Sequence, residues 1–143
     1  MQRHPSILLL DDSPGECELF RLALAHTGVD TLLYSHQDPE AALRFLRHQT
    51  VLPALTLLDW RLQNQSGEGF LRLLKQEARF ATLPVVVFTT SDDAGDMTTA
   101  YAAGANGYVV KPGTFDELVQ CVGDLCRYWM HRNRVPDLVT SQC

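Results

Sequence analysis

Along the chain, short apolar runs alternate with stretches in which apolar residues recur every three or four positions. The runs are SILLL (6 to 10), TLLYS (31 to 35), ALTLLD (54 to 59), PVVVFT (84 to 89) and GYVV (107 to 110). Between them the spacing predicts helices over about 14 to 27, 39 to 48, 67 to 78 and 92 to 103, with a last one over about 115 to 132. The runs are continuous rather than alternating, which suits strands covered on both faces. Strands that alternate with helices, joined by right-handed crossovers, predict a doubly wound α/β domain with a five-stranded parallel sheet between two helical layers.

Sheets of this kind place their sites beyond the carboxyl ends of the strands. Reading those ends in order gives Asp11-Asp12, then Asp59, then Thr89-Thr90, then Lys111-Pro112. The acidic pair is not needed to start the first helix. Ser13 as N-cap, Pro14 at the first helical position and Glu16 three residues after the cap form a Ser-x-x-Glu capping box. Two adjacent like charges therefore require a positive neighbour. Any one of these residues alone is ordinary strand-end or loop chemistry, but their order forms a four-part pattern. Carboxylates without Cys or His partners suit a hard cation such as Mg²⁺. A metal and a lysine together suit an incoming phosphoryl group, which an aspartate can accept covalently.

Composition narrows the setting. With 143 residues, 45% of them hydrophobic and 20% charged, the chain has enough material for one well-filled core. A formal net charge of −5 argues against nucleic acid as a general partner. The apolar run in MQRHPSILLL is too short for a signal peptide, and no segment approaches a membrane span, so a cytoplasmic location is expected. Cys17, Cys121, Cys126 and Cys143 show neither CxxC nor zinc-site spacing and are expected to be reduced thiols.

The four-part pattern resembles that of response-regulator receiver domains, over about residues 6 to 130. The resemblance implies a flavodoxin-like fold with strand order 2-1-3-4-5. It implies that Asp59 is the phosphoacceptor and that Asp12 is a direct Mg²⁺ ligand, with Asp11 acting largely through metal-bound water. The backbone carbonyl of Arg61 would complete the metal's protein ligands together with Asp59. Thr89 and Lys111 would contact the phosphoryl oxygens, Thr89 and Tyr108 would form the switch, and Lys111-Pro112 would be a cis peptide. A protein of this family is a phosphorylated signalling protein rather than an enzyme, although it promotes its own phosphotransfer and dephosphorylation.

Within the family, DDSPGECELFRLAL, VVVFTTSDD, AYAAGANGYVVKP and LCRYW look like the single-domain regulators that partner bacterial phytochromes. That resemblance implies a sensor histidine kinase as partner, output by protein–protein contact and pairing through the C-terminal end. The loop after the acceptor departs from the family pattern, with Gln63 where Pro is common and Ser66 where Asp often precedes the glycine, while Gly67 matches. Two other readings are an Asp-nucleophile, metal-dependent phosphohydrolase and a receiver-like scaffold that is never phosphorylated. The first lacks the Asp-x-Asp element that such hydrolases carry on the first strand.

The expected organisation is a receiver domain over 1–132, including a long last helix, and a tail over 133–143. Beyond the core stripe of Phe115, Leu118, Val119, Val122, Leu125 and Cys126, the chain continues with Tyr128, Trp129, Met130, Val135 and Leu138. This excess of apolar residues predicts a homodimer through the last helix and the tail.

Overall fold

Each of the five apolar runs is a strand in the computed structural model, which describes residues 5–63 and 65–136. In chain order the elements are β1 (Ser6–Leu10), α1 (Pro14–Thr27), β2 (Leu32–His36), α2 (Pro39–Arg47), β3 (Leu55–Leu58), β4 (Arg61–Leu62), β5 (Gln65–Ser66), α3 (Glu68–Gln76), β6 (Val85–Thr89), α4 (Ala94–Ala102), β7 (Gly107–Val110) and α5 (Phe115–Cys126). The main sheet has the order β2-β1-β3-β6-β7, with every neighbouring pair parallel. Its five strands thus follow the 2-1-3-4-5 order and form the flavodoxin-like receiver fold.

Strand residues alternate between two cores. Leu8, Leu10, Leu58, Val85 and Val87 pack with residues of α2, α3 and α4 on one side. Ile7, Leu9, Leu55, Leu57, Val86 and Phe88 pack with residues of α1 and α5 on the other. Burying each large side chain contributes roughly 1.5–3 kcal/mol, so β1, β3 and β6, lined on both faces, anchor the domain. The edge strands β2 and β7 are more exposed.

Local chemistry explains where elements stop. The Ser13 hydroxyl accepts from Glu16 N–H at 3.2 Å, Pro14 opens α1, and Gly28 closes it in the left-handed conformation at φ 74°. In AYAAGANGYVV, Gly104 ends α4 at φ 111°, and a Cβ there would meet Lys75 Cγ at 2.9 Å. Asn106 Oδ1 then accepts from Val85 N–H at 2.8 Å and from Lys75 Nζ at 3.3 Å, fixing the entry into β7. The strand that carries Tyr108, and the turn that carries Lys111, start from that anchor.

Three features differ from the sequence expectations. Arg61–Leu62 and Gln65–Ser66 pair as a small antiparallel ladder, β4 with β5, rather than plain loop. The last helix is α-helical only to Cys126 and continues as a π-helical turn over Arg127–Arg132, closed by Asn133 N–H donating to Tyr128 O. The Lys111-Pro112 peptide is trans, and no cis peptide occurs among the described residues. Trans remains the lower-energy isomer before proline by about 0.5–1 kcal/mol, and Lys111 reaches its partners from it.

Tyr128 and Val135 are exposed, but Trp129 and Met130 pack partly against the α1/α5 core, so the apolar excess at this end is shared between the domain and its surface. Leu138 and Cys143, with the rest of the tail from 137 on, lie outside the described residues. No helix among the described residues is long and apolar enough to cross a membrane.

Candidate functional site

Parallel strands deliver their carboxyl ends to one edge, and the chemistry gathers there. Asp11 follows β1 and Asp59 follows β3, and the two ends are locked by Asp59 N–H donating to Leu10 O at 2.9 Å. Asp11, Asp12 and Asp59 each offer a carboxylate oxygen, and these oxygens lie within 4.8 Å of one another. Asp11 is buried, whereas Asp12 and Asp59 are half-buried. The donors are all oxygen, which fits a hard divalent cation and not a thiolate- or imidazole-seeking one.

Lys111 follows β7 and answers the acidic cluster. Its ammonium donates to Asp11 Oδ2 at 2.7 Å and to Glu16 Oε1 at 3.1 Å, and lies 3.8 Å from Asp59 Oδ2. The other Asp11 oxygen accepts from Ser13 N–H at 3.0 Å, so both oxygens of Asp11 are engaged. Asp12 Oδ2 accepts from Gln63 N–H, which ties the acidic pair to the β4–β5 hairpin.

Burial pushes the Asp59 carboxyl above its ordinary range and the charge of Asp11 adds to this, against the lowering pull of Lys111, of the Thr89 hydroxyl and of the Arg61 N–H. Burial alone would lower Lys111. The hydrogen bond with Asp11 and the charges of Asp59 and Asp11 outweigh it and hold the ammonium above its ordinary range.

Thr89, the last residue of β6, is buried beside Asp59, while Thr90 is exposed. The side chains of Arg61 and Tyr108 lie toward α4. Arg61 turns its guanidinium out to Asp96 of α4, Nε donating at 2.8 Å, and the same carboxylate accepts from Ser91 Oγ at 2.6 Å. Tyr108 packs against the α2/α3/α4 core and donates from its hydroxyl to Ser91 O at 2.8 Å. Ser91 is therefore where the Arg61 and Tyr108 contacts meet.

Gly67 owes its place to close approach and not to its dihedral angles, since its φ is −69°. A Cβ there would sit 2.8 Å from Asp59 O and 3.1 Å from Leu58 Cδ1. Sequence reasoning missed Glu16, Ser91 and Asp96 as neighbours of the site. For Glu16 a signal existed: the first turn of α1 starts at the same sheet edge, but the capping box already accounted for the residue.

A family profile described as response regulator receiver domain matches residues 7–123. Response regulator Rcp1 of Synechocystis sp. is 30% identical over 135 residues, covering 91% of this chain and 92% of Rcp1. A crystal structure of the Mn²⁺-bound form of Rcp1 superposes with a TM-score of 0.79 over 92% of this chain and 99% of that one. The phosphorylated cyanobacterial phytochrome response regulator RcpA superposes with a TM-score of 0.85 at 27% identity, covering 94% of this chain and 100% of that one. Response regulator RPA3017, from red light signalling in R. palustris, gives a TM-score of 0.85 at 26% identity, covering 92% and 98%.

Proposed function

Because the chain belongs to the response regulator receiver domain family, we propose that it works as a stand-alone response regulator that accepts a phosphoryl group on Asp59 from a sensor histidine kinase. The observation that carries this reading is the placement of Asp59 between the acidic pair and Lys111, with carboxylate oxygens within 4.8 Å on one side and an ammonium 3.8 Å away on the other. In the transfer, an Asp59 oxygen forms the bond to phosphorus as the P–N bond of the phosphohistidine breaks and its electron pair leaves with the imidazole. Lys111 and the Thr89 hydroxyl receive the phosphoryl oxygens, whose charge would be costly to bury unpaired. Asp12 and Asp59, the backbone carbonyl of Arg61, and Asp11 through water would hold Mg²⁺, which supplies neutralising charge to those oxygens.

Phosphorylation adds about −1.5 to −2 charges at the acceptor. Thr89 and Tyr108 form the switch that reads it: Thr89 lies beside the acceptor, and Tyr108 is held through Ser91, two residues after Thr89. The chemistry is that of a signalling protein that promotes its own phosphotransfer and dephosphorylation, located in the cytoplasm and acting through other proteins, with neither membrane nor nucleic acid as partner. The likeness to RcpA, a phytochrome response regulator, and to RPA3017 of red light signalling supports a bacterial phytochrome as the kinase.

We assign the receiver unit to 1–132 and pairing of two copies to the last helix and the tail over 133–143. Exposed Tyr128 in the last helix and exposed Val110 on the edge strand β7 support such a surface. Phosphotransfer from each sensor kinase of the source organism tests the proposal. One kinase should phosphorylate the wild type rapidly and in a red-light-dependent manner, and leave Asp59→Asn unlabelled. Transfer from no kinase, or equal transfer to Asp59→Asn, contradicts it.

A further inference from the structure

One carboxylate at the site has no place in that scheme. Glu16, in the first turn of α1, sets Oε1 3.1 Å from Lys111 Nζ. In a reciprocal capping box its side chain would instead accept from the Ser13 N–H. That N–H donates to Asp11 Oδ1 at 3.0 Å, so Asp11 performs this half of the cap and the Glu16 carboxylate is released toward Lys111.

An ammonium has three N–H donors in a fixed tripod. On Lys111, one donates to Asp11 and one to Glu16, at 2.7 and 3.1 Å. Asp59 Oδ2, at 3.8 Å, is beyond hydrogen-bond reach, so the third donor is not bonded to it. The Lys111 side chain is only 8% exposed while Glu16 is in place, so its donors meet carboxylates rather than bulk water. With two donors pinned, the third has a fixed direction.

We infer that Glu16 is a positioning residue for the phosphoryl-accepting reaction: together with Asp11 it fixes the rotation of the Lys111 ammonium so that the third N–H meets the oxygens arriving at Asp59. This rests on the reading of Asp59 as acceptor. The negative charge of Glu16 works against an incoming phosphoryl group, but its side chain is 39% exposed and water screens it. The hydrogen bond is therefore the larger effect, and its loss should cost rate while loss of charge alone should not.

The test is the rate of phosphoryl gain by the full chain, from acetyl phosphate at saturating Mg²⁺, in wild type, Glu16→Ala and Glu16→Gln. Thermal midpoint and Mg²⁺ affinity are measured in parallel. Glu16→Ala should be roughly fivefold slower, equivalent to about 1 kcal/mol. Glu16→Gln, which keeps an acceptor oxygen at the same reach, should stay within about twofold of wild type, with Mg²⁺ affinity and midpoint unchanged in both variants. A purely structural cap would lower the midpoint without this rescue by Gln. A Glu16→Ala rate within about twofold of wild type, any acceleration, or a Gln variant as slow as Ala overturns the inference. Failure of the acceptor reading is separate: it would appear as phosphoryl gain by Asp59→Asn, whatever Glu16 does.

Discussion

Replacing Gly67 by alanine adds a single methyl at the point where the chain after β5 touches Leu58 and Asp59 at the end of β3. The new Cβ would lie 2.8 Å from Asp59 O and 3.1 Å from both Leu58 Cδ1 and Cγ. A separation under 3.0 Å from a backbone oxygen cannot be relieved by rotating a side chain, so backbone must move. The nearest movable piece is Gly67 itself, whose N–H donates to Trp60 O at 2.7 Å, and shifting it weakens that bond. Overpacking of this kind costs about 1–3 kcal/mol. For a domain of this size, about 2 kcal/mol corresponds to a fall of roughly 5–7 °C in the thermal midpoint.

A share of a few tenths of an ångström taken up by the Asp59 backbone should slow phosphorylation by roughly threefold to tenfold, given that about 1 Å can cost a hundredfold. Circular dichroism melting and the rate of phosphoryl gain from acetyl phosphate measure the two effects. Gly69→Ala is the control, because its Cβ would meet nothing within 4 Å in α3. It should be neutral or stabilising by up to about 1 kcal/mol. A Gly67→Ala protein that melts within about 1 °C of wild type and phosphorylates normally would refute the reasoning.

Burial holds the Asp59 carboxyl above its ordinary pKa, so the folded state keeps this proton to higher pH than the unfolded chain does and Asp59 costs stability once ionised. In chelator, Asp59→Asn should therefore raise the melting midpoint at neutral pH, and the gain should vanish as pH falls below the ordinary carboxyl value of 3.8; a gain that persists at lower pH would contradict this. Thr56 is buried with no partner for its hydroxyl among the described residues, so Thr56→Val should stabilise by about 1 kcal/mol in urea unfolding, and a loss of stability would show that the hydroxyl is satisfied. Trp60 directly follows Asp59, whereas Trp129 packs against the α1/α5 core, so quenching by Mg²⁺ should persist in Trp129→Phe and disappear in Trp60→Phe. The reverse pattern would place the cation elsewhere.

The parts of this architecture that were legible in the sequence share one physical cause. Doubly covered parallel strands need unbroken apolar runs, and the residues that end them must converge on one edge. Asp11, Asp59, Thr89 and Lys111 could be located for that reason. The paired strands β4 and β5 have two residues each, too short for any periodicity to register. The change from α- to π-helix after Cys126 is equally silent, because six residues are too few for periodicity to tell the two windings apart. Glu16 was hidden by a sufficient local explanation, since its cap motif gives no sign of a lysine 95 positions later. The Arg61–Asp96 pair spans 35 positions, and nothing in either neighbourhood specifies the other.

The central claim is that Asp59 takes a phosphoryl group as an acyl phosphate, and intact-mass measurement addresses it directly. Wild type and Asp59→Asn are mixed with acetyl phosphate, with Mg²⁺ or with chelator, and each product is then treated with hydroxylamine. Wild type with Mg²⁺ should gain the mass of one phosphoryl group and lose it to hydroxylamine, and Asp59→Asn should gain none. An Asp59→Asn protein that gains the same mass at the same rate, or a wild-type adduct that resists hydroxylamine, would contradict the account.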